Sequence, residues 1–181
     1  KWWNTYSKDT VKRLGQYDRL RKNTFHTCLT GDSRNIEIFE QLNNSNPEFA
    51  TLIQRQKIKG IFSSPPYVGL IDYHEQHAYA YDLFELERQD ELEIGPLYKG
   101  KGKAARESYI KGISDVLNNS KRFLVDDYDI FLVANDKFNM YPTIAENAGM
   151  KIVNQYKRPV LNRTEKDKGA YSEIIFHLKN I

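Results

Sequence analysis

Two consecutive prolines, Pro65 and Pro66, follow directly on the short apolar run Lys59-Gly60-Ile61-Phe62-Ser63, and no other juncture restricts the chain as tightly. The run has the length and apolar character of a strand. Each proline fixes its own φ, lacks an N–H and holds the residue before it extended. Ser64 and Pro65 are therefore both extended, just beyond a strand's carboxyl end, which is where open α/β sheets place ligands. The Ser64 hydroxyl and the Pro65 carbonyl can point into that crevice as acceptors, with Tyr67 supplying a flat face beside them. The plainer reading is a rigid loop with Tyr67 packed inward.

The elements around this juncture set the fold class. Val11, Leu14, Tyr17 and Leu20, three apart, predict a charged helix over 7–22 with a narrow apolar stripe. A short β-prone stretch, 25–30, closes at Gly31-Asp32, a helix is expected over 35–42, and Asn43-Asn44-Ser45-Asn46-Pro47 breaks it. Beyond the prolines, helices are expected from Tyr73, with Ala80, Leu83 and Phe84 on one face, and over 105–123. A glycine- and lysine-rich loop, 94–103, separates them. Tyr128-Asp129-Ile130-Phe131-Leu132-Val133-Ala134 reads as the best buried strand. A helix over 141–147 closes at Gly149, and strands over 151–161 and 172–178 end the chain. This order predicts an α/β sheet, mostly parallel, with an antiparallel C-terminal strand pair.

Composition narrows the function classes without choosing one. At 181 residues the chain is one domain or a large part of one. A net charge of +3 permits a nucleic-acid partner without requiring one. The 12 tyrosines suit stacking surfaces and plain cores equally well. The single cysteine, Cys28, excludes an intrachain disulfide, and no apolar stretch has transmembrane length. No membrane partner is expected, and the expected setting is the cytoplasm.

Ser64-Pro65-Pro66-Tyr67 resembles motif IV of the S-adenosylmethionine-dependent DNA methyltransferases that modify exocyclic amines. Members with serine first mostly make N4-methylcytosine, and those with aspartate first mostly make N6-methyladenine. The resemblance extends over about 24–178. Ser63 to Phe84 is similar to the motif IV to V region of the cytosine-N4 group, Thr30-Gly31-Asp32-Ser33-Arg34 to the motif III turn, and Phe131 to Asp136 to the motif VI strand. Arg158 to Thr164 with Tyr171-Ser172-Glu173-Ile174-Ile175 is similar to the motif VIII strand pair. The ordered set is far more specific than the tetrapeptide alone. It implies a partial Rossmann-like methyltransferase sheet, S-adenosylmethionine as cofactor and double-stranded DNA as partner. It also implies that Ser64, Pro65, Pro66 and Tyr67 handle a flipped base, at N4 of cytosine in preference to N6 of adenine.

The resemblance also assigns supporting residues, each with a plainer alternative. Asp32 and Ser33 would lie by the cofactor's adenine, though both types also favour helix caps. Asp72 and Tyr73 would line its methionine side, or simply start a helix. Lys99, Lys101, Lys103 and Arg106 would grip phosphates, or form a solvated loop. Asn162 and Arg163, between the last two strands, would touch the flipped base, or form a polar hairpin. His74-Glu75-Gln76-His77 lacks the His-Glu-x-x-His zinc spacing, and no metal is expected. Gly100-Lys101-Gly102 follows no strand and is not a nucleotide loop.

One part of the family pattern is missing: no glycine stands in a Phe-x-Gly-x-Gly context. The expectation is a C-terminal catalytic portion, residues 1–181, with an N-terminal helical segment, 1–23, and a motif-bearing α/β portion, 24–181. A complementary cofactor-binding half or subunit would then supply the glycine motif. A non-catalytic DNA-binding fragment is the alternative from a different class.

Overall fold

The computed structural model describes residues 2–22, 24–160 and 171–181. Its centre is a four-stranded sheet in the order β1-β2-β4-β3, built from β1 (Ile58–Ser63), β2 (Leu124–Ala134), β3 (Met150–Val160) and β4 (Tyr171–Asn180). β1 runs parallel to β2, with Ile61 opposite Ile130 and Ser63 opposite Leu132. β4 is inserted between β2 and β3 and runs antiparallel to both. The α/β class and the antiparallel C-terminal pair are as the sequence indicates. The balance of the ladders differs, since one of the three pairings among the described strands is parallel. A terminal strand pair that docks through its second member adds two antiparallel ladders at once.

Seven helices accompany the sheet among the described residues: α1 (Trp2–Leu20), α2 (Ile38–Ser45), α3 (Pro47–Gln56), α4 (Tyr73–Gln76), α5 (Ala78–Phe84), α6 (Lys103–Lys121) and α7 (Tyr141–Asn147). α6 and α7 cover one face of the sheet. Tyr109, Ile113 and Leu117 of α6 and Ile144 of α7 close over Tyr128, Ile130, Leu132, Phe176 and Leu178 in the main core. These β2 and β4 residues are those of one pleat face, at the strand period of two. Gly149 follows α7 with φ +60, the left-handed turn that lets the chain reverse into β3. α1 buries none of its residues.

Two expectations for the segment before β1 are corrected. Residues 25–30 form no strand. Phe25 instead stacks on Phe49 at 5.2 Å, and Leu29 packs on Leu42, Ala50 and Ile53, so these apolar side chains are taken up by helices. The break at 43–47 is present, ending α2 at Ser45, but a second helix that the sequence did not announce follows it at once. Asn46 caps a new helix by accepting from Phe49 N at 3.1 Å, and Pro47 occupies its first turn, where a missing N–H costs nothing. The expected helix over 35–42 begins later, at Ile38, because Asn35 N and Ile36 N first close a turn on Asp32 O.

Candidate active site

The tetrapeptide leaves the sheet where β1 and β2 end side by side. Ser64 follows the last residue of β1, and its hydroxyl donates to Val133 O near the end of β2 at 3.3 Å. That bond uses the one hydroxyl hydrogen and leaves the oxygen lone pairs as acceptors. Ser64 itself is exposed, while Pro65, Pro66 and Tyr67 are half-buried.

Behind the prolines lies a set of tyrosines. The Tyr109 hydroxyl of α6 donates to Pro66 O at 2.8 Å and lies 3.1 Å from the Tyr141 hydroxyl of α7. Tyr109 has a single hydrogen, committed to the carbonyl, so Tyr141 is the donor in the second contact. The Tyr141 ring stacks on Phe176 at 4.5 Å, nearly parallel to it. Burial pushes the Tyr109 phenol up to about 12, and the Asp136 carboxylate nearby adds to the shift. Burial raises Tyr141 as well, with Tyr109 adding to it. Asp136 is placed by accepting from Met140 N at 2.7 Å and Tyr141 N at 3.1 Å. Tyr67 packs against the main core, as in the plainer reading of the sequence, and its hydroxyl donates to Glu173 Oε1 on β4 at 2.6 Å.

After Tyr67 the chain turns sharply. Gly69 has φ +61, and a Cβ there would stand 2.5 Å from Gly100 O and 2.6 Å from the Lys101 side chain. Gly69 N also donates to Gly95 O at 2.9 Å. The basic loop is thereby held against the turn that follows the tetrapeptide. Lys99, Lys101 and Lys103 are exposed. Lys99 Nζ lies over the Tyr98 ring at 5.5 Å, and Lys103 lies 3.9 Å from Glu107. Arg106 is half-buried, its guanidinium 4.9 Å from the Phe138 ring centre. Asn162 and Arg163 lie outside the described residues.

A cleft of about 450 Å³ is lined by Thr30, Gly31, Asp32, Ser33, His74 and Tyr81, with Glu87, Leu92, Glu93 and Ile94 among others. The Arg34 guanidinium holds the Asp32 carboxyl below the usual carboxylate range, bonded at 2.6 Å to Oδ2 and 2.8 Å to Oδ1. Asp32 also accepts from Arg34 N at 3.0 Å, so it closes its own turn, while Glu37 stands at the N-terminus of α2. Asn119 of α6 ties the turn down by donating to Ser33 O and Ile36 O, each at 3.2 Å.

The structure thus brings Asp32 and Ser33 together with His74 in one cleft. Asp72 and Tyr73 are not among the residues lining it. Asp72 accepts from Tyr98 N at 3.1 Å, and Tyr73 N donates to Glu93 Oε1 at 2.6 Å. Their contacts join the start of α4 to the loop that forms the cleft wall. His74 Nδ1, 3.5 Å from Glu93 Oε2, makes no hydrogen bond among the described residues, and its ring stacks on Tyr81 at 5.1 Å.

The chain has a relative among known proteins. Over 174 residues, 96% of its length, the chain is 53% identical to the Type II methyltransferase M.MjaII of Methanocaldococcus jannaschii. The chain is homologous to part of a type II methyltransferase. It spans 33% of that protein's length. No family model matches it. A solved structure of TTHA0409 from Thermus thermophilus, assigned as a DNA modification methylase, overlaps 83% of this chain and 50% of its own, with a TM-score of 0.38 and 16% identity.

Several residues that shape the site give no sequence signal of their partners. Tyr109 and Tyr141 read as helix positions, and Glu173 as one residue of the strand pair that resembles motif VIII. A buried hydroxyl or carboxylate requires a partner, but the partner stands far away in sequence, 106 positions in the case of Tyr67 and Glu173. No local pattern reports it.

Proposed function

We propose that this chain carries the base-handling portion of an S-adenosylmethionine-dependent DNA methyltransferase that acts on N4 of cytosine after base flipping. The observation that carries the reading is the Ser64 hydroxyl, which donates to Val133 O at 3.3 Å and so keeps its lone pairs for an incoming amine. An exocyclic amine is a weak nucleophile because its lone pair is delocalised into the ring. Acceptors on both its N–H groups favour a tetrahedral nitrogen and act where positive charge develops. Ser64 Oγ and the Pro65 carbonyl are those acceptors. Among the described residues, no donor meets the Pro65 carbonyl, whereas the Pro66 carbonyl is already occupied by Tyr109.

Tyr67 is the stacking face for the flipped base, and such a contact contributes roughly 1–3 kcal/mol against the few kcal/mol that flipping costs. No covalent intermediate with the protein is required, and orientation of amine and methyl donor supplies much of the rate. Lys99, Lys101 and Lys103 hold DNA phosphates beside the turn at Gly69.

The cleft suits the cofactor by its chemistry. It combines carboxylates from Asp32, Glu87 and Glu93 with Leu86, Leu92, Ile94 and the stacked His74 and Tyr81, a lining for a ligand with a cationic centre and a flat apolar base. Asp32 and Ser33 would hold it, with Asp72 and Tyr73 bracing the opposite wall through Tyr98 and Glu93. When bound, S-adenosylmethionine supplies an electrophilic methyl group on its sulfonium. A complementary cofactor-binding half completes the site. The edge position of β1, with Phe62 77% exposed on it, supports this by offering a strand edge that has no neighbour among the described residues.

The test is a mass-spectrometric nucleoside digest of DNA incubated with S-adenosylmethionine and the full-length protein. N4-methylcytosine is the expected product. N6-methyladenine would reassign the target base within the same chemistry. No methylated nucleoside would overturn the enzyme reading in favour of a DNA-binding module.

A further inference from the structure

Glu173 is 4% exposed, yet it carries a carboxylate. It sits on β4 opposite Arg158 of β3, and its two oxygens are used differently. Oε1 accepts from the Tyr67 hydroxyl at 2.6 Å, and Oε2 lies 3.4 Å from Arg158 Nη1. A buried carboxylate is costly unless it is paired, and a well-packed apolar side chain is often at least as stabilising in its place. Ile175, two residues further along the same face of β4, is half-buried. The acid at position 173 is instead met by a polar partner at each oxygen.

We propose that Glu173 is a positioning residue for the base-handling site, holding the Tyr67 ring in the orientation that presents its face beside Ser64 and Pro65. The inference rests on the reading of Tyr67 as the stacking surface. One end of the Tyr67 side chain is fixed by a backbone that follows two prolines. The other end is its phenolic oxygen, held by Glu173. A phenolic O–H lies in the plane of its ring, so the position of the acceptor selects the ring plane as well as the ring axis. Arg158 balances the charge without competing for the same oxygen. A ring so held loses little freedom when a base stacks on it, and preorganisation of this kind appears in turnover.

The experiment uses the full-length protein with Glu173→Ala and Glu173→Gln, each alone and combined with Tyr67→Phe. Turnover on DNA is read alongside the fluorine NMR signal of 3-fluorotyrosine at position 67, assigned by its disappearance in Tyr67→Phe. Glu173→Ala should lower kcat about 10- to 100-fold, the scale of a missing hydrogen bond to a charged group, and should shift the fluorine signal. Glu173→Gln keeps an acceptor of similar size and should be intermediate in both readouts. In the Tyr67→Phe background the alanine change should have little further effect, because the bond it removes is already gone.

Equal decreases in both backgrounds would overturn the proposal, since Glu173 would then act through packing. If Glu173→Ala does not fold, Glu173→Gln carries the same comparison, and a Tyr67 signal that it leaves unmoved overturns the proposal too. An unsubstituted protein that methylates no nucleoside would end the functional reading alone. The fluorine signal would still show whether Glu173 holds Tyr67.

Discussion

The Tyr109 hydroxyl donates to the carbonyl of Pro66 at 2.8 Å, joining α6 to the middle of the tetrapeptide through a group that proline itself supplies. Prolines contribute no N–H, so a Pro-Pro step can be held only by its carbonyls and its packing. Tyr109 and Tyr141 hold it from the core side, and Ser64 is exposed on the other.

This bond gives the fold an alkaline limit. Burial pushes the Tyr109 phenol from 10.0 up to about 12. The folded state thus keeps its proton more tightly than the unfolded chain. The contribution is fully present below about pH 10 and is lost as pH rises toward 12, at up to about 1.4 kcal/mol per pH unit. Tyr141, raised in the same direction, steepens the loss. Urea unfolding across this range should show stability falling, with a flatter fall in Tyr109→Phe. At neutral pH that variant should be less stable by about 1–3 kcal/mol, because the Pro66 carbonyl loses its donor.

Ser64→Ala removes an exposed hydroxyl and should leave the thermal unfolding midpoint nearly unchanged. Turnover should fall about 100-fold or more, since the missing acceptor acts on charge that develops in the transition state. Steady-state methyl transfer measures this. Full activity would remove Ser64 from the chemistry.

Gly69→Ala introduces strain and overlap together. The backbone has φ +61, and the added Cβ would stand 2.5 Å from Gly100 O. A decrease of roughly 1–3 kcal/mol is expected in denaturant unfolding. The basic loop should be displaced with it, so DNA affinity should fall even though no charge has changed.

Replacing Lys99, Lys101 and Lys103 together by alanine should weaken DNA binding about equally on all sequences. The slope of log K against log salt should become shallower by about 0.9 for each phosphate the protein no longer neutralises. All three side chains are exposed, so stability should hardly change. An unaltered slope would show that the loop does not touch the backbone of DNA.

The tetrapeptide's place at a strand end was legible from two adjacent prolines, because they constrain φ whatever surrounds them. The helices over 103–121 and 141–147 and the strands β2 and β4 were legible for a related reason, as each has apolar residues spaced to match a core face. Position 25–30 misled because Phe25 and Leu29 are as suitable for docking on helices as for joining a sheet. Only Phe49, Leu42 and Ile53, brought near by the fold, decide between them. The second helix at Pro47 was hidden by residues that break one helix and begin the next equally well.

What the sequence determined by itself is therefore local: where the backbone is stiff, which faces are apolar, and which ordered motifs resemble an amine methyltransferase. The tertiary structure alone decided that Ser64 spends its proton on Val133, that Tyr109 holds the Pro66 carbonyl, and that Glu173 meets Tyr67. A hydrogen bond across 43, 69 or 106 positions leaves no periodic trace in the chain. Its partners are selected by how β1, β2, β4 and α6 pack, and that is a property of the sheet order.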